Sequence, residues 1–226
     1  VDVDDVIEVN ERLLAKIFKD VLNVEVPLPI ERMTWQDAMD RFGSDKPDTR
    51  FGMELVNVSE TVKDCEFVVF KGALENGGSV RGINAKGQGA MPRKKIDKLV
   101  DFAKDYGAKG LAYVHVTEAG EFETGITKFV TPEEKEALKK AVDFEPLDTI
   151  FFVADHKEKV AKFANMLRNE LGNRLGLIDE NAFNFVWIVD FPFYEKDDDG
   201  NIAFSHNPFS LPQSSLEEIK KDPLSA

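Results

Sequence analysis

The stretch that most constrains the fold is the apolar run TIFFVAD at residues 149–155, which is followed at once by a long helical pattern that stops at Gly176. A short run rich in β-branched and aromatic residues is typical of a buried strand, and the change to a 3.6-residue period indicates a helix after it. The preceding segments CEFVVFKGAL, GSVRGINAK, GLAYVHVTE and its hairpin partner GEFETGITKFV also read as strands, with helix starts at PRKK and TPEEK between them. Residues 65–163 are therefore predicted to follow the order β-β-α-β-β-α-β-α, which favours an α+β domain.

The segments on either side of this domain have a different pattern. Residues 2–22 carry apolar side chains at helical spacing behind an acidic start, and TWQDAMDRFG predicts a short helix that ends at Gly43. Near the other end, NFVWIVDFPFYE and NIAFSHNPF predict two strands joined by a turn at Asp199-Gly200.

Charge and cysteine content exclude several classes of protein. The net charge of −13 argues against non-specific coating of nucleic acid, which depends on many Lys and Arg contacts, although a local basic patch stays open. The single cysteine, Cys65, excludes an intrachain disulfide and suits a reducing compartment, and no apolar run is long enough to span a bilayer. The chain starts at Val1 rather than Met and stops within KKDPLSA, so we expect a piece of a longer protein.

Four sets of polar residues are candidates for a site, and each has a structural alternative. The Gly-rich basic segment GINAKGQGAMPRKK (residues 82–95) suits either phosphate binding near a helix start or a plain solvated turn. GSDKPDTRF (43–51) suits a functional loop or a capped one, and Asp190 suits a functional carboxylate or an exposed strand end. The adjacent His206 and Asn207 could recognise a polar ligand or lie in an ordinary hairpin exit. His115 is expected to be a structural or surface histidine, and His156 is expected to cap the helix that it precedes.

Three separate segments resemble bacterial aspartyl-tRNA synthetases. They are VDVDDVIEVNERL, similar to the helix after motif 2 of that family, RMTWQDAMDRFGSDKPDTRFGMEL (residues 32–55, the signature segment), and FVWIVDFPFYEKDDDGNIAFSHNPFS. Residues 65–165 resemble the GAD insertion domain. The resemblance implies an antiparallel sheet with helices on one face for this insert, and partial class II catalytic domain, with its own antiparallel sheet, for residues 1–64 and 166–226.

The same resemblance implies a function and a site. Its enzymes activate aspartate with ATP and Mg²⁺, transfer it to tRNA, act as homodimers and are cytoplasmic. His206 matches a histidine of the aspartate pocket, Asn207 stands where many members have a second histidine, and Ser44, Asp45 and Lys46 match a loop near the catalytic core. The arginines of motifs 2 and 3 would lie before Val1 and after Ala226, so we expect this chain alone to be inactive, with no catalytic residue or metal ligand of its own and neither ATP nor Mg²⁺ bound. The alternative is a non-catalytic, tRNA-positioning GAD module of a tRNA-dependent amidotransferase subunit.

Overall fold

The computed structural model describes residues 1–108, 110–197, 199–205 and 211–225. Two compact units share the chain: residues 1–36 together with 185–226, and residues 37–184. The domain boundaries predicted from the sequence, at 64/65 and 165/166, fall elsewhere and stay a prediction. Among the described residues, no helix combines the length and apolar character needed to cross a bilayer.

The larger unit holds a five-stranded antiparallel sheet in the order β2-β3-β6-β4-β5. Its strands are β2 (Leu55–Asn57), β3 (Ser79–Ala85), β4 (Ala112–Val116), β5 (Phe122–Glu123) and β6 (Thr149–Asp155). Its helices, of which the first begins just before the unit, are α2 (Trp35–Phe42), α3 (Val68–Glu75), α4 (Arg93–Asp105), α5 (Pro132–Val142) and α6 (Lys157–Arg174). The predicted α+β class is confirmed.

Helices cover both faces of this sheet, which corrects the expectation that they lie on one face. Alternate residues of β6 point to opposite sides: Phe152 joins a core with α3 and α5, and Phe151 joins a second core with α4 and α6. The reason is that β3 and β6 are almost entirely buried, so water has to be excluded from both of their faces.

One predicted strand is a helix. The segment CEFVVFKGAL contains α3, which buries Phe70 completely against the first core, while Val68 stays 76% exposed. A short apolar run fits a strand or a buried helix equally well, so periodicity alone could not separate them. The other predicted elements of residues 65–163 are present in the predicted order.

The smaller unit contains α1 (Val3–Leu22), β1 (Glu31–Thr34), β7 (Val186–Val189), β8 (Tyr194–Lys196), β9 (Ile202–Phe204) and α7 (Leu216–Lys221). The antiparallel hairpin predicted around Asp199-Gly200 is present as β8 and β9. β1 and β7 also pair, but they run parallel, with Glu31 opposite Val186 and Thr34 opposite Val189. In this pair the antiparallel arrangement expected for the flanking segments is wrong, because local alternation carries no information on the direction of a distant partner.

Candidate functional site

The signature loop, residues 43–54, begins where α2 ends. Gly43 adopts a left-handed conformation with φ +70°, and a Cβ there would lie 2.3 Å from the Ala161 carbonyl oxygen of α6. Only glycine combines this φ with so close an approach to another backbone. The sequence therefore places the loop directly against α6.

Within the loop, polar groups bond chiefly to one another. The Lys46 amide donates to Ser44 Oγ at 3.1 Å, while the Arg50 guanidinium donates to both oxygens of Asp48 at 3.0 and 2.8 Å. The side-chain hydrogen bond from Arg50 holds the pKa of Asp48 below its usual value, against the opposing effect of burial. This arrangement agrees with a self-capped loop, and Lys46 keeps its side chain exposed.

A buried arginine fixes the far end of the loop. Arg168, on α6, has no solvent exposure; its Nη2 donates to the carbonyl oxygens of Phe51 and Gly52, each at 2.8 Å, and its Nε to that of Met53 at 3.1 Å. The guanidinium carbon also lies 3.9 Å from the ring centroid of Phe51 and 4.8 Å from that of Phe42. Together these contacts satisfy three consecutive backbone carbonyls with a single side chain.

Burial lowers the pKa of Arg168 to about 10, while the nearby carboxylates of Asp48 and Glu54 act in the opposite direction. The side chain is therefore still a cation at neutral pH. Arg41 donates two hydrogen bonds to the Glu54 carboxylate, at 2.8 and 2.7 Å. These hydrogen bonds from Arg41 are the main reason that the pKa of Glu54 is lowered. The loop thus lies in a set of paired charges around one buried cation.

Sequence reasoning missed Arg168, although a signal was present. It occupies the apolar stripe of α6, which recurs at helical spacing through Val160, Ala164, Leu167 and Leu171. A charged residue inside an apolar stripe requires partners in the core, because burying an unpaired charge is expensive. The roles predicted for Ser44, Asp45 and Lys46 stay predictions.

The other predicted site residues, His206 and Asn207, lie outside the described residues. The hairpin of β8 and β9 precedes them, and its last described residue is Ser205. The Ser205 amide donates to the Phe193 carbonyl at 3.1 Å. In the turn, Asp197 accepts hydrogen bonds from the Asn201 and Asp199 amides, and these bonds lower its pKa. The acidic run before His206 therefore includes a residue with a structural role.

A second missed residue, Glu11, organises the smaller unit. Its carboxylate is 7% exposed and accepts from the Ile30 amide at 3.0 Å and from Trp187 Nε1 at 3.2 Å. Through these two bonds α1 contacts both the segment before β1 and strand β7. Asp190, which follows β7, is exposed with φ 55°, in agreement with the exposed strand end considered above.

The basic segment 82–95 is held by a buried polar network. The Asp148 carboxylate, 2% exposed, accepts from the Gly87 amide at 2.7 Å and from Asn84 Nδ2 at 2.9 Å. Thr149 Oγ1 donates to the Gln88 carbonyl at 2.7 Å and lies 2.7 Å from Nδ1 of His115.

Thr149 Oγ1 donates its only proton to the Gln88 carbonyl, so it must accept in its contact with His115. The ring proton therefore lies on Nδ1 of His115. Burial lowers the pKa of His115, so the neutral ring is favoured. Both observations support the structural role expected for this histidine.

Comparison with known proteins shows what the chain is similar to. The family model for the GAD domain matches residues 70–164. The chain is 56% identical over 225 residues to the aspartate–tRNA(Asp/Asn) ligase of Lachnoclostridium phytofermentans and, over the same length, 56% identical to the aspartate–tRNA ligase of Agathobacter rectalis. It is 48% identical over 226 residues to the aspartate–tRNA(Asp/Asn) ligase of a Thermoanaerobacter species.

Each of these matches includes 99% of the chain but 38% of the relative, so the chain spans well under half the length of the curated relatives that it matches. The match includes the segments on both sides of the GAD domain, so an isolated GAD module of an amidotransferase subunit is not favoured. The chain is therefore similar, over nearly its whole length, to part of the bacterial aspartate–tRNA ligases, which are class II aminoacyl-tRNA synthetases, and it contains a segment that matches the GAD domain.

Proposed function

We propose that the whole protein activates aspartate with ATP, releasing pyrophosphate, and transfers the aspartyl group to tRNA. The observation that carries this proposal is the 56% identity that extends over 99% of the chain. Conversion of a carboxylate to an acyl adenylate requires the attacking oxygen to lie in line with the α-phosphate and the developing negative charge to be stabilised.

Two sets of residues are proposed for this chain. His206, supported by Asn207, binds substrate aspartate, because an imidazole and a carboxamide supply the donors and acceptors that a small polar amino acid requires. The loop with Ser44, Asp45 and Lys46 supports the catalytic core. No three His, Cys, Asp or Glu side chains gather into a metal-binding group in the part of the chain that the structure describes, so we assign no ligand for Mg²⁺ here.

The proposed partners and location follow the resemblance. The whole ligase binds tRNA, aspartate and ATP, and it acts as a homodimer in the cytoplasm. The buried thiol of Cys65, whose pKa is raised by burial, is consistent with a reducing compartment, where such a thiol stays reduced and unreactive.

The test is ATP–pyrophosphate exchange in the full-length ligase. His206→Ala should raise the KM for aspartate about tenfold or more, as expected when a hydrogen bond to a polar substrate is removed, without changing the KM for ATP. His156→Ala, at an exposed position, is the matched control. An unchanged KM for aspartate would refute the assignment of His206.

The 226-residue chain alone should show no exchange, since the resemblance implies that the arginines of motifs 2 and 3, which stabilise the transition state, lie outside it. Measurable exchange by the purified chain would contradict this.

A further inference from the structure

Cations are concentrated in one short segment of an otherwise acidic chain. Residues 86–98 contain five Lys or Arg and one Asp, whereas the other 213 residues contain 24 Lys or Arg and 41 Asp or Glu. The local charge therefore has the opposite sign to the rest of the protein. Such a contrast concentrates polyanions at one place while the remaining surface repels them.

All five cations are exposed, and four of them form no ion pair in the part of the chain that the structure describes. The basic surface consists of Lys86, Arg93, Lys94, Lys95 and Lys98. Lys86 lies 3.8 Å from Asp143, whereas the other four form no ion pair with any residue in the described ranges. Binding an external anion at these four would therefore not require an internal salt bridge to be broken.

The backbone beneath these cations is held in place. Met91, Ile96 and Leu99 are buried in the core on the α4 side of the sheet. The preceding turn is tied to Asp148 and Thr149 by the hydrogen bonds described above, and a Cβ at Gly89 would lie 2.8 Å from the backbone of Leu147. A surface that is already ordered loses less entropy on binding than a flexible tail does.

The geometry suits a repeating anion. Lys94 and Lys98 are one helical turn apart on the outer side of α4, and Arg93 and Lys95 extend the positive charge to either side of Lys94. Phosphates follow one another at regular intervals along a nucleic acid strand, so several can be neutralised at once.

From the charge contrast, the unpaired cations and the fixed backbone, we propose that the basic surface of the GAD domain binds the phosphate backbone of tRNA. This inference rests on the proposed function, which supplies an RNA as the partner. It adds a positioning surface outside the signature loop and the predicted aspartate-binding residues.

The experiment measures the affinity of the 226-residue chain for unfractionated bacterial tRNA as a function of salt concentration. The variant K94Q/K95Q/K98Q removes three cations from the basic surface. The control K71Q/K139Q/K140Q removes three exposed lysines from α3 and α5, and these also form no ion pair within the described ranges. Both variants change the net charge by the same amount, so a difference between them reports position rather than total charge.

We expect the α4 variant to bind tRNA about tenfold more weakly at low salt, with the slope of log affinity against log salt reduced by about one for each lysine. The control should bind as the unmodified chain does. Equal losses in both variants, no loss in either, or no salt-dependent binding by the unmodified chain would overturn the proposal. Binding to phosphatidylserine vesicles in place of tRNA would overturn it as well.

Two further measurements keep the outcomes distinct. Ultraviolet cross-linking of the unmodified chain to tRNA should place the cross-linked peptide within or beside residues 86–98, a readout that does not depend on how the variants fold. ATP–pyrophosphate exchange by the full-length ligase should survive the α4 substitutions. Failure of exchange in the unmodified ligase would refute the proposed function without altering the binding result.

Discussion

Replacing Arg168 by lysine tests whether one side chain holds the signature loop against α6. Lysine keeps the positive charge but has one nitrogen in place of the planar fork that now donates to the carbonyls of Phe51, Gly52 and Met53. An ammonium group at the end of a flexible stem cannot occupy the positions of both Nε and Nη2. We therefore expect two of the three bonds to be lost or distorted.

The expected magnitude follows from these contacts. Hydrogen bonds that involve a charged group contribute about 1.5 kcal/mol or more each, and stacking of the guanidinium on Phe51 and Phe42 adds roughly 0.5–1 kcal/mol. With two bonds and the stacking lost, Arg168→Lys should lower the free energy of unfolding by about 3–4 kcal/mol. The measurement is urea denaturation of the 226-residue chain, followed by far-ultraviolet circular dichroism at neutral pH.

Arg174→Lys is the matched control, because Arg174 lies on the same helix and forms a partly exposed pair with Glu170. Pairs of this kind contribute about 0.5 kcal/mol or less, so the control should unfold almost as the unmodified chain does. Equal unfolding midpoints for Arg168→Lys and the control would refute the reasoning. A large loss in both would mean that the cost of replacing an arginine on α6 does not depend on its partners.

Two further predictions concern a backbone contact and a buried ring. Gly43→Ala should lower the free energy of unfolding by about 3 kcal/mol or more, because the new Cβ would lie 2.3 Å from the Ala161 oxygen at a residue with a left-handed φ. The control Gly77→Ala, with φ +71° but open space around it, should lower it by about 1 kcal/mol. Similar urea midpoints for the two variants would contradict the steric argument. Burial lowers the pKa of His115, so the unfolded chain takes up a proton at a higher pH than the folded one, and stability should fall as the pH drops below about 6.5 towards the folded pKa. His115→Gln should reduce this pH dependence, and identical stability–pH curves for the variant and the unmodified chain would exclude the effect.

The elements that the sequence predicted best are those with a clear local signal. The buried strand at residues 149–155 was recognisable as a short apolar run rich in β-branched and aromatic residues, and the helix after it was recognisable from a 3.6-residue period. Helix α5 was recognisable from its start, where Thr131 and Glu134 form the expected capping box. Local chemistry determines these features, so each could be predicted from the sequence of its own segment alone.

The features that were missed depend on partners far away in the chain. Arg168 donates to carbonyls of residues 51–53, and Glu11 accepts from Trp187, so the neighbouring sequence does not identify the partners of either residue. The misassigned helix α3 is short and apolar on most sides, and its contacts with β3 and β6 decide its conformation. The aspartate-binding assignments of His206 and Asn207 stay predictions, since both lie outside the described residues.

The parallel pairing of β1 and β7 determines what kind of connection the inserted residues between them form. Two strands joined as a hairpin are antiparallel, but β1 and β7 are parallel, with Glu31 opposite Val186 and Thr34 opposite Val189. Parallel neighbours cannot be joined by a tight turn; they require a crossover connection of a dozen residues or more. Residues 35–185, including the whole GAD match, supply that connection, so the inserted domain does not merely interrupt the smaller unit. It is the crossover through which β1 and β7 become neighbours, and its length could vary widely without altering their register, because the entropic cost of closing a loop grows only slowly with its length.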